Sequence, residues 1–196
     1  MIQLKSPKII YVLFFLSGTA GLIYEIVWSR LLILVFGSTT NSIVAVISAF
    51  LGGLAIGSLI FGKIADNISS QKLIKTYAFL ELAIGLTAAL TLILIPGVKT
   101  VYANFSDGSS QSLGLIFVKF FFSISVLIVP TILMGATLPI LVNFIKSQNK
   151  KVDQSVSILY AVNTFGAVLG VLLSAFILIE LLGLANTLFL QLQSTF

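Results

Sequence analysis

The chain has 196 residues, 58% of them hydrophobic and only 9% charged, with a net charge of +5 and neither cysteine nor histidine. That balance lies outside the range of soluble domains and is the composition of a membrane protein. It excludes a disulfide framework, thiolate chemistry, an imidazole base and an ordinary zinc site. The basic charge sits beside hydrophobic runs, which reads as membrane topology rather than nucleic-acid binding.

A spanning helix needs about 20 mostly apolar residues, because each residue rises about 1.5 Å and the hydrocarbon layer is about 30 Å thick. The first such run extends from Ile9 to Phe36, after Lys5 and Lys8. Gly18-Thr19-Ala20 resembles a signal-peptide cleavage site, but the apolar pattern continues to Phe36, too far for a signal sequence, so a retained helix is expected. This run carries Tyr24, Glu25, Trp28 and Arg30. The second, Asn41 to Phe61, has Gly53 and Gly57 four apart, a small-residue face on which two helices can approach closely. The third runs from Leu73 to Ile95 and contains Glu81. The breakers Pro96-Gly97 and the turn-forming "SDGSSQS" at Ser106 to Ser112 predict a long loop after it. The fourth, Leu113 to Ile145, holds Lys119 and two prolines, Pro130 and Pro139, which remove backbone donors and bend a helix. The fifth, Val156 to Leu182, carries Tyr160, Asn163 and Glu180, with Gly166, Gly170 and Ser174 four apart on a second packing face. After Gly183, a sixth segment from Leu184 to Phe196 would be about 20 Å long if helical, too short to cross.

Basic residues alternate between the connections. They precede the first span, recur as Lys63, Lys72 and Lys75 around the second connection, and as Lys146, Lys150 and Lys151 in the fourth. The other connections carry almost none, which predicts a cytoplasmic N-terminus. The expected location, which the charges themselves do not fix, is a plasma membrane, the cytoplasmic membrane of a bacterium. With that orientation the intramembrane charges fall into three expected layers. Glu25 is level with Lys119, Arg30 with Glu180, and Glu81 with Asn163, Tyr160 lying one turn below Asn163. Trp28, Arg30 and Lys119 have a plainer reading as an aromatic marker and snorkelling side chains at the membrane interface. Glu25 and Glu81 are too short and too deep for that, so both are expected to face a cavity, an ion path or a charge partner inside the bundle.

The strings "SGTAGLIYEIVWSRLL", "VFGSTTNS", "FLGGLAIGSLIFGKIAD", "FLELAIGL", "MGATLPIL" and "LYAVNTFGAVLG" resemble the N-terminal membrane domain of fused membrane-bound spermidine synthase-like proteins. The resemblance extends from about Ser17 to Gly183 and implies a single all-α transmembrane domain similar to one six-helix half of a major facilitator. Five helices would be complete and the sixth unfinished. The polar residues at matching positions are Tyr24, Glu25, Trp28, Arg30, Asp66, Glu81, Thr137, Asn163 and Thr164. "GKIADNISSQK" is also similar, more weakly, to the major facilitator motif between the second and third helices, through Gly62, Asp66 and Lys72. Its ordinary alternative is a turn in which Asp66 caps or pairs locally.

The family's aminopropyltransferase half, with its Rossmann-like sheet and Gly-rich turn, has no counterpart in this chain. No catalytic residue, metal or cofactor is therefore expected here. Three readings follow: a transport-type half handling polyamines, other cations or protons; a membrane anchor for a fused or separate aminopropyltransferase domain; and a truncated product without activity of its own. Lipid is the expected partner in each, and a transport half would add a second membrane half or a second copy of itself.

Overall fold

The computed structural model describes residues 7–104, 113–148, 152–184 and 186–187, and these form five helices long and apolar enough to cross a membrane. Helix α1 spans Pro7–Phe36, α2 Thr40–Ala65, α3 Ser70–Ala103, α4 Leu113–Ser147 and α5 Val152–Leu173. The α5 rod passes through a π-helical turn at Ser174–Leu178, where Ile179 N–H bonds the Ser174 carbonyl, and continues to Leu184. Lys5, the "SDGSSQS" loop, Lys150, Lys151 and most of the expected sixth segment lie outside the described residues.

Local chemistry fixes the α1–α2 corner. Gly37 adopts φ 85°, a left-handed conformation that costs least without a Cβ, and so ends α1. Thr39 then caps α2, its side-chain oxygen accepting the Ser42 N–H at 3.2 Å.

Cross-helix pairs define the directions of the helices. Ser17 pairs with Glu81 and Trp28 with Thr91, both partners advancing together, so α1 and α3 are parallel. Lys119 meets Ser42 and Asn143 meets Asp66, each pair 77 positions apart in sequence, so α2 and α4 are parallel and in one register from end to end. Gly18 beside Asn163, with Gly170 beside Thr19, aligns α5 with α1. The bundle thus has one end where α1 begins and α2 finishes, and an opposite end where α1 finishes and α2 begins.

Backbone-to-backbone crossings hold the helices together. A Cβ at Gly57 would overlap the Ile132 carbonyl, one at Gly135 the Leu54 carbonyl, and one at Gly53 the Thr131 side chain. On the other seam, Gly166 sits on the Phe15 carbonyl and Gly170 on the Thr19 carbonyl. Close approach of this kind supplies packing energy where lipid removes the hydrophobic drive between helices. Ser174, on the same face of α5, is fully buried. The outward surfaces of all five helices are rich in exposed Leu, Ile, Val and Phe, as suits contact with acyl chains.

The helices overrun the spans expected from hydropathy. Helix α2 extends to Ala65, which shortens the following turn to Asp66–Ser69, and α5 starts at Val152 rather than Val156. The largest departure is α3, which continues through Pro96 and Gly97 to Ala103 instead of breaking into a loop. Tertiary packing sustains the extension: Tyr102 is buried edge-on against Phe36 with ring centroids 5.0 Å apart, and Ile95 joins the same core. Pro130 and Pro139 are likewise carried within a continuous α4. Near them, Thr131 donates to the Leu127 carbonyl at 2.6 Å and Thr137 to the Met134 carbonyl at 2.7 Å, the local back-bonds that threonine hydroxyls make inside a helix.

The apolar interior is divided. One cluster fills the N-terminal end, with Phe14, Leu73, Tyr77, Leu80, Ile140 and Leu159 among its members. The other fills the opposite end around Tyr24, Trp28, Leu32, Ile84, Ala88 and Leu127. On α3 the two clusters part between Leu80 and Ile84, and Glu81 occupies the gap.

Candidate functional site

Glu81 is the centre of the site. Its carboxylate is half-buried, and Oε1 accepts a 2.7 Å hydrogen bond from the Ser17 hydroxyl on α1. Tyr77, one turn earlier on α3 and buried, interacts through its hydroxyl with both Glu81 and Ser17. Beside this group lies a cavity of about 20 Å³ lined by Ser17, Ala20, Gly21, Tyr24, Glu81, Ile84 and Met134. That is room for about one water molecule. A Cβ on Gly21 would meet no atom within 4 Å, so Gly21 borders open space on this side of α1.

Above the cavity the α1–α3 seam is closed by aromatic and polar contacts. Tyr24 stacks on Trp28 with centroids 5.3 Å apart and planes 14° apart, and both rings are buried. Trp28 Nε1 donates to the Thr91 hydroxyl at 2.8 Å, and Thr91 in turn donates to the Ala88 carbonyl at 2.7 Å. Trp28 is therefore a core residue, not an interfacial marker.

The other polar residues are placed differently from the expected layers. Asn163 sits against Gly18, one residue from Ser17, so the Glu81 and Asn163 levels agree. Helix α1 lies between them, because Ser17 turns to α3 and Gly18 to α5. Tyr160 and Thr164 are exposed on α5, Thr164 bonding the Tyr160 carbonyl. Arg30 and Glu180 are both exposed and form no buried pair. Glu25 is half-buried on the side of α1 that carries Gly18, two turns further along.

Lys119 does not meet Glu25. It is 1% exposed at the opposite end of the bundle, where its ammonium donates to Ser42 Oγ at 3.1 Å and Thr39 Oγ1 at 3.4 Å. Glu25 lies about 16 Å below the end of α1, out of its reach. The depth count failed because α4 starts level with the α1–α2 corner and its Lys119 turns toward α2. At the N-terminal end Asp66 is the C-cap residue of α2, its backbone N–H bonded to the Ile64 carbonyl, while its carboxylate accepts from Asn143 Nδ2 on α4 at 3.0 Å. Gly62 has open space where a side chain would go, and Lys72 is exposed, so the three residues of the loop motif are not gathered into one contact.

Sequence reasoning did not single out Ser17, Tyr77, Gly21, Met134 or Asn143. Only Tyr77 carried a signal, a hydroxyl one helical turn from an intramembrane acid. Among the described residues no group of His, Cys, Asp and Glu could hold a metal ion. No protein-family model, curated protein or solved structure matches the chain.

Proposed function

We propose that this chain is a transport-type membrane domain of the spermidine synthase-like class, comparable to one half of a major facilitator, in which Glu81 provides the interior cation site. One observation carries the reading: a carboxylate stands between two apolar clusters, beside a small cavity, on the seam between two helices. Intramembrane acids are costly and concentrate on ion and substrate paths, commonly at the interface between moving parts of a transporter. A cytoplasmic N-terminus and a second half, supplied by another copy, complete the proposal.

The test is uptake of labelled spermidine by the purified chain in liposomes. Glu81→Gln abolishes uptake, while Glu180→Gln, at an exposed position, retains it. Equal uptake by the wild type and Glu81→Gln refutes the assignment.

A second reading draws on the α2–α4 pair, fastened at both ends and packed backbone to backbone in between. Such a rigid unit suits an anchor holding an aminopropyltransferase domain, fused or separate, at the membrane. Under that reading the chain confers membrane attachment on such a domain, and Glu81→Gln leaves the attachment intact.

A further inference from the structure

The size and lining of the Glu81 cavity limit what it can take. A polyamine chain needs several times the volume of one water molecule, so about 20 Å³ cannot seat it. An ionised carboxylate between two apolar clusters still requires a compensating charge, since an isolated buried ion is strongly disfavoured. Among the described residues no basic side chain shares its level. Lys75 on the same helix and Lys8 on α1 both lie about 9 Å or more nearer the N-terminal end and are exposed, and Lys119 is at the far end of the bundle.

The groups facing Glu81 are hydroxyls and apolar atoms. Tyr77 comes from its own helix, Ser17 and Tyr24 from α1, and Met134 from α4. Ser17, Tyr24 and Tyr77 can each donate to or accept from a carboxyl group in either of its forms.

Resting on the transport reading, we infer that Glu81 is a proton-carrying site, exchanging one proton with a single water in the Gly21 cavity, and that the polyamine binds elsewhere. Hydronium in the cavity gives its proton to a carboxylate oxygen of Glu81, leaving water and a neutral carboxylic acid; release reverses the step, so charge and atoms balance. Gly21 lines the cavity and borders open space, so it is the position at which an added methyl group can reach that water.

Infrared difference spectroscopy of the full chain in lipid, titrated with acid and base, reads the site directly. The wild type shows a carbonyl band of a protonated carboxyl that appears with acid, shifts in heavy water, and is lost in Glu81→Gln. In Gly21→Ala the band persists but its shift after transfer to heavy water is slowed, because the methyl group displaces the exchanging water. Five other carboxyl side chains also protonate with acid, so the reading is the component that Glu81→Gln removes, and the absence of any such component overturns the inference. A band set by sodium concentration rather than acidity also overturns it. Because the spectra require no transport, a titrating Glu81 band with no spermidine uptake leaves the proton site standing and removes only the transport reading.

Discussion

Gly57→Ala tests whether backbone contact between α2 and α4 holds the bundle. The added methyl would overlap the Ile132 carbonyl, a rigid backbone group that cannot rotate away, so the two helices must separate. Gly52→Ala is the matched control on the same helix, since a Cβ there meets nothing within 4 Å. Both substitutions gain the same helix propensity, about 1 kcal/mol, which cancels between them. What remains is the cost of overpacking a close contact, about 1–3 kcal/mol. Unfolding in mixed micelles of increasing sodium dodecyl sulfate content, followed by circular dichroism, should place Gly57→Ala below Gly52→Ala by that amount. If the two variants unfold at the same detergent fraction, the helices do not touch at Gly57 and the α2–α4 crossing is wrong.

Two further outcomes use the same unfolding assay. Thr91→Val leaves the buried Trp28 N–H without its acceptor and costs about 1–3 kcal/mol. Because Trp28 is the chain's single tryptophan, its emission shifts to shorter wavelength in the same sample, and an unchanged spectrum argues against the bond. Thr39→Ala removes the cap of α2 together with one acceptor of Lys119, and destabilises by about 0.5–2 kcal/mol. Thr39→Ser, which keeps the oxygen, restores most of that loss, and a failure of serine to do so rules out capping.

The spans were legible because lipid demands long apolar runs, and the helix seams because Gly53, Gly57, Gly166 and Gly170 repeat at one helical turn. The helix ends were not. Pro96-Gly97 carries a strong local breaking signal that the burial of Tyr102 against Phe36 overrides, and nothing near Pro96 announces that distant contact. Glu81 was identifiable as an interior group from its depth alone, but its partner was not. Ser17 is an unremarkable hydroxyl until the α1–α3 register brings it opposite. Lys119 illustrates the same limit: depth along a helix is countable from sequence, whereas the direction in which a side chain turns depends on which neighbour lies beside it.

The shared offset of α2 and α4 has a mechanical consequence. With Lys119 on Ser42, Gly53 on Thr131 and Asp66 on Asn143, sliding one helix past the other by a turn would have to undo all three together, so the pair behaves as a single plate. Helices α1 and α5, interlocked through Gly166 and Gly170, form a second plate. Helix α3 packs along α4 and so goes with the first plate, and two side-chain bonds, Ser17 to Glu81 and Trp28 to Thr91, bridge the line between α1 and α3. Any rocking of one plate against the other would therefore load those two bonds, which places the acid on the boundary between the plates instead of at the lipid-facing perimeter.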